Sequence, residues 1–305
     1  MLFAAKKKFS RISLSNLNQL IWSMIRFVII FGLCFTIICP LFVKALQSVM
    51  DQKDILDITV KLYPKQFSLK TVNECIKMIK YPSALAYTFV LSLIVSLLQL
   101  LICCMAGYGF ARFQFRFKGA IFACVLVILM VPPNVYGSAM FIYFKEFLFG
   151  AVNLIGTPWP YLILSVTGMG FKNGLYIYVM RQLYRGMPKE LEEAAYVDGY
   201  DRFQTFFRIM IPMGKNMMLT VFVLSFCWQW TDVFYAQIFR DMKTLSTSIL
   251  TGVVNFPSSG VRLDQIMISV YRNAACVLAI IPLLVLFGFT QKRLTESIER
   301  SGLVG

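Results

Sequence analysis

The chain has 305 residues, of which 58% are hydrophobic and 15% charged, with a net charge of +15 from 30 Lys+Arg against 15 Asp+Glu and a mean hydropathy of +0.68. So few charges exclude a disordered chain and speak against a water-soluble enzyme, and the absence of any histidine removes Ser-His-Asp and Cys-His catalysis, histidine-ligated zinc and a histidine proton relay. The cations flank apolar runs and form no separate basic tract, which points to span ends meeting anionic lipid and away from nucleic acid.

Residues 1–26 are basic and lack a small-residue cleavage site, so the apolar run behind them is expected to be a retained span. Six apolar segments follow in order, near 27–43, 84–110, 120–143, 161–180, 217–233 and 274–290. Each is of the length that crosses a hydrocarbon core of about 30 Å. Lipid offers no partners to backbone groups, so the spans are expected to be helices, the third broken at Pro132-Pro133. Long polar connections are expected at 44–82 and 232–273 on the outer side and at 182–216 on the inner side. Seven of the eight cysteines lie in apolar runs and only Cys75 in a loop, which argues against a disulfide framework or a metal site.

Counting Lys and Arg gives a modest bias towards one orientation, with the lysine-rich 44–82 loop against it. With the amino terminus inside, inner segments carry 17 cations, outer segments 12, and Lys172 falls within the fourth span. The short basic turn at 111–118 and the amino-terminal stretch have no acid; short segments weigh most in this rule, so both termini are expected inside.

The inner loop is the most informative segment. Pro188 suits a first helical position, and Glu190, Glu192 and Glu193 follow in the positive first turns. Leu191, Ala194, Ala195 and Asp198 are spaced to share one face that another surface could approach closely. Gly199 permits a left-handed residue that ends this helix. Phe203, Phe206, Phe207, Met210 and Ile211 then repeat at helical spacing, with Pro212 closing a second short helix.

Glu193-Ala194-Ala195-x-x-Asp198-Gly199, followed after a nine-residue gap by Ile209-x-Ile211-Pro212, resembles the EAA loop of binding-protein-dependent ABC importer permeases. Met187–Glu192, the Tyr108-Gly109-Phe110-Ala111-Arg112-Phe113 run and the tail from Gln291 are similar to the smaller membrane subunit of the maltose-type carbohydrate importers. Tyr200 and Ile211 depart from the residues usual there. The resemblance implies an all-α membrane protein of six transmembrane helices, with a cytoplasmic coupling-helix (EAA) loop at 182–216 between helices four and five. It implies this organisation: a cytoplasmic segment 1–26, a first helix and outer loop 27–82, a permease core 83–291 and a cytoplasmic tail 292–305. It implies a bacterial cell membrane location, a second homologous permease, an ABC ATPase dimer, an extracellular or lipoprotein solute-binding protein and a sugar substrate. Leu191, Glu193, Ala194, Ala195, Asp198, Gly199, Ile209 and Pro212 would couple to the ATPase.

The chain has no G-x-x-x-x-G-K-[ST] loop; Gly168-Met169-Gly170-Phe171-Lys172-Asn173 lacks its spacing and its end. No cofactor is therefore expected on this chain, with ATP and Mg belonging to the partner ATPase. All 15 acids fall in loops or at span edges, against the buried acids of an ion-coupled carrier, and no cluster of acids or Cys at one depth suggests a membrane enzyme. An importer of a non-sugar solute stays open. Lys172 with Asn173 either lines the substrate path, pairs with a partner subunit, or snorkels to the interface. Trp228-Gln229-Trp230 reads either as a sugar-contacting cluster or as part of an interfacial aromatic belt.

Overall fold

The computed structural model describes residues 14–57, 59–60, 63–253 and 265–302. The cations at 6–11, Lys61, Arg262, part of the 232–273 connection and the end of the tail lie outside these residues. Among the described residues the regular structure is helical, with two isolated bridges, Met50 with Phe67 and Phe147 with Val152.

The chain divides into two compact units, Met1–Thr71 and Val72–Gly305. The first holds α1 (Leu14–Ser48), a long apolar helix carrying Pro40, and α2 (Gln52–Leu56). From Asn18 to Phe42 nearly every described α1 side chain is exposed, as expected of a helix built to face lipid. The following loop is tied by its own polar groups. The Asp51 carboxylate caps α2 at Lys53, Asp54 accepts from the Gln66 amide at 2.8 Å, and the Lys65 ammonium meets Asp57 at 2.7 Å. That ammonium, and the Thr59 hydroxyl beside it, hold the Asp57 carboxyl well below the usual carboxylate range.

The second unit is built around α4 (Tyr81–Arg112). It starts after Lys80 in a left-handed conformation, with Pro82 in its first turn, and α3 (Lys70–Met78) precedes it. Cys75, expected in a loop, lies on α3 and is fully buried, its thiol donating to the Tyr271 carbonyl. α8 (Asn173–Gly186) and α12 (Lys215–Trp230) pack along α4, and α7 (Trp159–Val166) covers its first half. α15 (Gln265–Gly302), which carries Pro282 within it, lies against α12. Two cores result. The one towards the end of α4 gathers Cys103, Cys104, Tyr108, Tyr176, Met180, Tyr184, Phe206 and Met210. The other gathers Leu91, Val95, Phe144, Tyr161, Tyr235 and Phe239.

Among the described residues three helices are long and apolar enough to cross a membrane, or up to five if two bent pairs count as one span each. The third expected span is one bent pair, α5 (Lys118–Met130) and α6 (Pro133–Lys145), turned by 102° where Pro132 and Pro133 remove two donors. The fourth was expected to be continuous and is not. α7 ends at Val166, Gly168 takes φ +75°, and the Met169 amide returns to the Leu164 carbonyl at 2.9 Å, closing a Schellman turn. α8 begins only at Asn173, after Lys172 at φ +62°.

The approach to the fifth span also differs from expectation. After α9 (Glu190–Val197) and α10 (Arg202–Thr205), residues Phe206–Met210 form a π-helical turn and Pro212 sits inside α11 (Ile211–Met213). The wide turn sends the Ile211 amide to the Phe206 carbonyl, a register that absorbs the missing proline donor. The chain bends at Gly214, by 79°, and not at Pro212. α13 (Phe234–Ile238) and α14 (Leu245–Gly252) fill the connection to α15. That connection is pinned to α4, since Tyr87 donates to Asp241 at 2.8 Å and the Leu245 amide donates to Thr88 at 2.7 Å. Burial raises the Asp241 carboxyl above its ordinary pKa, while Tyr87 and the Lys243 amide oppose the rise.

Candidate functional site: the α8–α12 loop and the break before α8

α9 starts at Glu190, two residues later than Pro188 suggested, with Glu190, Glu192 and Glu193 in its positive first turn. Its end is a full Schellman turn. Gly199 takes φ +84°, its amide reaches the Tyr196 carbonyl at 3.1 Å, and the Tyr200 amide reaches Ala195 at 2.9 Å. Asp201 then opens α10 with a capping box to Gln204.

The expected shared face does not exist as one surface. Ala195 is 2% exposed and points inward with Glu192, while Leu191 is half-buried. Glu193, Ala194, Val197 and Asp198 face outward. Adjacent residues on a helix stand about 100° apart, so Ala194 and Ala195 part company once a neighbour covers one of them. Ile209 is half-buried against the Tyr108 core and Pro212 is exposed. Val197, 87% exposed, and Phe203, 69% exposed, add large apolar groups to the outward surface.

The inward face is held by a residue that sequence reading passed over. Arg112, the last residue of α4, donates through Nη2 to the Met187 carbonyl at 2.7 Å, and its Nε lies 3.4 Å from Glu192 Oε1. Both side chains are almost wholly buried. A single guanidinium thus satisfies the chain leaving α8 and pairs with α9. Below it, the Tyr108 ring stands 4.9 Å from Phe206 and 5.5 Å from both Tyr184 and Phe113. Gly107 lets α4 and α8 approach so closely that an added Cβ would lie 2.6 Å from Met180 Cβ. The signal was present as a lone cation ending a long apolar span and an acid three residues before a small one; only packing joins them.

At the break before α8, the Lys172 ammonium lies 5.2 Å from the Phe171 ring centre and 5.1 Å from that of Trp228. The break is level with the middle of α4, where Gln99 donates to the Phe171 carbonyl at 3.3 Å and accepts from Ser225. Asn173 is buried, and neither its Nδ2 nor its Oδ1 has a hydrogen-bond partner among the described residues. Gly170 lets the backbone pack closely here, since a Cβ on it would meet Gln99 Nε2 at 2.5 Å and Asn173 Oδ1 at 3.3 Å. Trp228 is 43% exposed. Trp230 is turned away, with its indole N–H on the Ala279 carbonyl of α15 at 3.1 Å, and Gln229 is half-buried between them. Gln99 and Ser225 were missed, although an amide within an apolar span is itself a signal.

Comparison with known proteins bears on the family and the fold. The probable ABC transporter permease YurM of Bacillus subtilis is 31% identical over 205 residues, 66% of this chain and 62% of the relative. The arabinooligosaccharides transport system permease AraQ of Bacillus subtilis is 29% identical over 223 residues, 72% of each. The crystal structure of a bacterial ABC transporter involved in the import of the acidic polysaccharide alginate contains a chain of the same fold. It superposes with a TM-score of 0.69 at 17% identity, covering 96% of this chain and 99% of that one. The family model for binding-protein-dependent transport system inner membrane components matches residues 100–300, so this chain belongs to that family and is a transport permease and not an enzyme.

Proposed function

We propose that this permease crosses the membrane six times, with both termini and the 182–216 loop cytoplasmic, and that it imports a sugar or oligosaccharide. A second homologous permease completes the pathway, an extracellular or lipoprotein binding protein delivers the substrate, and an ABC ATPase dimer holding ATP and Mg supplies the power. The bent and broken helices count as the third, fourth and fifth spans, and 83–291 is the transporting core. The names of sugar-transporting relatives such as AraQ support the substrate class.

The observation that carries the coupling role is the two-sided construction of α9. Glu193, Ala194, Val197 and Asp198 are exposed and free to meet a partner, while Glu192 pairs with Arg112 at the α4 end and Ala195 is buried beside it on the inward face. A push on the outward face therefore reaches α4 and α8 through a buried pair and not through a loose loop. Gly199 ends the knob, and Leu191, Ile209 and Pro212 complete its seating. The test is Glu193→Lys and Gly199→Pro in the assembled complex. Both variants are expected to insert and assemble yet lose substrate-stimulated ATP hydrolysis. Purified variant complexes that keep full stimulation would refute the assignment.

For the substrate path we keep Lys172, whose ammonium lies 5.1 Å from the Trp228 ring, with the adjacent Asn173 and Gln229 as supporting residues, and we set Trp230 aside because its indole N–H is committed to α15.

A further inference from the structure

Lys172 is a cation without an acid. Among the described residues no carboxylate pairs with it; its ammonium has only the Phe171 and Trp228 ring faces, at 5.2 and 5.1 Å. A charge inside a span is costly, and two aromatic faces offset only part of that cost. A residue that merely filled space there would not need to be charged.

The surroundings reinforce the same sign. α8, a helix of 14 residues, begins at Asn173 and directs its positive end into the break. The Asn173 amide, 1% exposed, has no partner for either polar atom, and its Oδ1 converges with Gln99 Nε2 over Gly170. A half-helix end, an ammonium, an idle amide and a partly exposed indole ring make up a receptor for one kind of group. The amides suit hydroxyls, the Trp228 face suits the C–H face of a sugar ring, and the ammonium with the helix end suits a carboxylate.

Resting on the importer reading above, we propose that the break before α8 receives an acidic sugar, and that Lys172 selects it by binding the carboxylate of a uronic acid unit. Lys172 is then a specificity residue and Asn173 a positioning residue for a ring hydroxyl.

The test uses the assembled transporter in lipid nanodiscs, with Trp228 fluorescence reporting titration by digalacturonate or by its neutral counterpart galactobiose. Trp228→Phe identifies the signal. The wild type is expected to bind the acidic disaccharide at least tenfold more tightly, with a preference that falls as salt rises. Lys172→Gln should erase that preference while leaving the weak neutral binding, and Lys172→Arg should keep most of it. Equal titration by both sugars, unchanged in Lys172→Gln, would overturn the inference and leave a sugar permease standing. A Lys172→Gln complex that loses its second permease, while wild type shows no acidic preference, would also overturn it by making Lys172 a subunit contact. Silence towards both sugars in the wild type would remove the sugar path itself, whereas the Glu193 and Gly199 variants test coupling independently.

Discussion

Arg112 and Lys172 are both cations in apolar surroundings, and the protein treats them in opposite ways. Arg112 is closed, with a carboxylate at 3.4 Å, a carbonyl at 2.7 Å and almost no exposure. Lys172 is open, with two ring faces and no acid among the described residues. A buried, paired charge restrains geometry, because Arg112 holds the Met187 carbonyl through Nη2 and faces Glu192 as an ion pair, although Nε and Oε1 themselves form no hydrogen bond. An open charge at a break in a helix keeps capacity for something that arrives later. The paired end of α4 therefore supports the proposed coupling role, and the break the proposed ligand site.

Removing one partner of the closed pair is the strongest way to break this contrast. Arg112→Ala or Glu192→Ala should cost about 3–5 kcal/mol, since each leaves a buried charge alone. The pair Arg112→Met with Glu192→Met should be much milder in thermal unfolding of the purified protein while still weakening coupling of ATP hydrolysis to substrate. Double-variant stability no better than either single variant would deny that the pair is closed.

Next in size is Gly107→Val. Its Cβ would start 2.6 Å from Met180 Cβ and 2.9 Å from the Arg181 amide, and overpacking of this kind costs about 1–3 kcal/mol. The same unfolding experiment checks it, and a wild-type transition would mean that α4 and α8 can separate without loss. Gly199→Val should cost about 1–2 kcal/mol from its φ of +84° alone, because an added Cβ meets nothing within 4 Å. Gly199→Asn should recover most of that, and amide hydrogen exchange across α9 and α10 separates the two variants.

The smallest effect belongs to a third cation, Lys65, which is exposed. Its ammonium depresses the Asp57 carboxyl, so the clip is present above the ordinary carboxylate pKa and is lost as pH falls through the depressed folded value. Lys65→Met should move Asp57 titration, followed by carboxyl NMR, up towards the ordinary range. Global stability should hardly change, as for most exposed pairs.

Much of this was legible in residue order. The apolar segments, the proline break at 132–133 and the glycine turn ending α9 follow from local rules, in which one residue type has one conformational consequence. The break in the fourth apolar segment was also written there, in Gly168 and Gly170, but hydropathy averages over it and reads one long stretch. Pro212 misled because a π-helical turn absorbed its missing donor. The four-residue face on α9 misled because periodicity tells which residues lie near one another and not which of them a neighbour covers.

Sequence alone determined that this is a chain of long apolar helices without a nucleotide loop, properties of composition and short spacing that act wherever the chain goes; that the 182–216 loop resembles the EAA loop of importer permeases is a likeness of residues and not a consequence of either. Only the tertiary structure decided that Arg112 finds Glu192 and that Ala195 turns in while Ala194 turns out. It alone left Lys172 between two rings beside an idle amide. Those outcomes depend on contacts between residues tens of positions apart, and such contacts exist only once α4, α8 and α12 have packed.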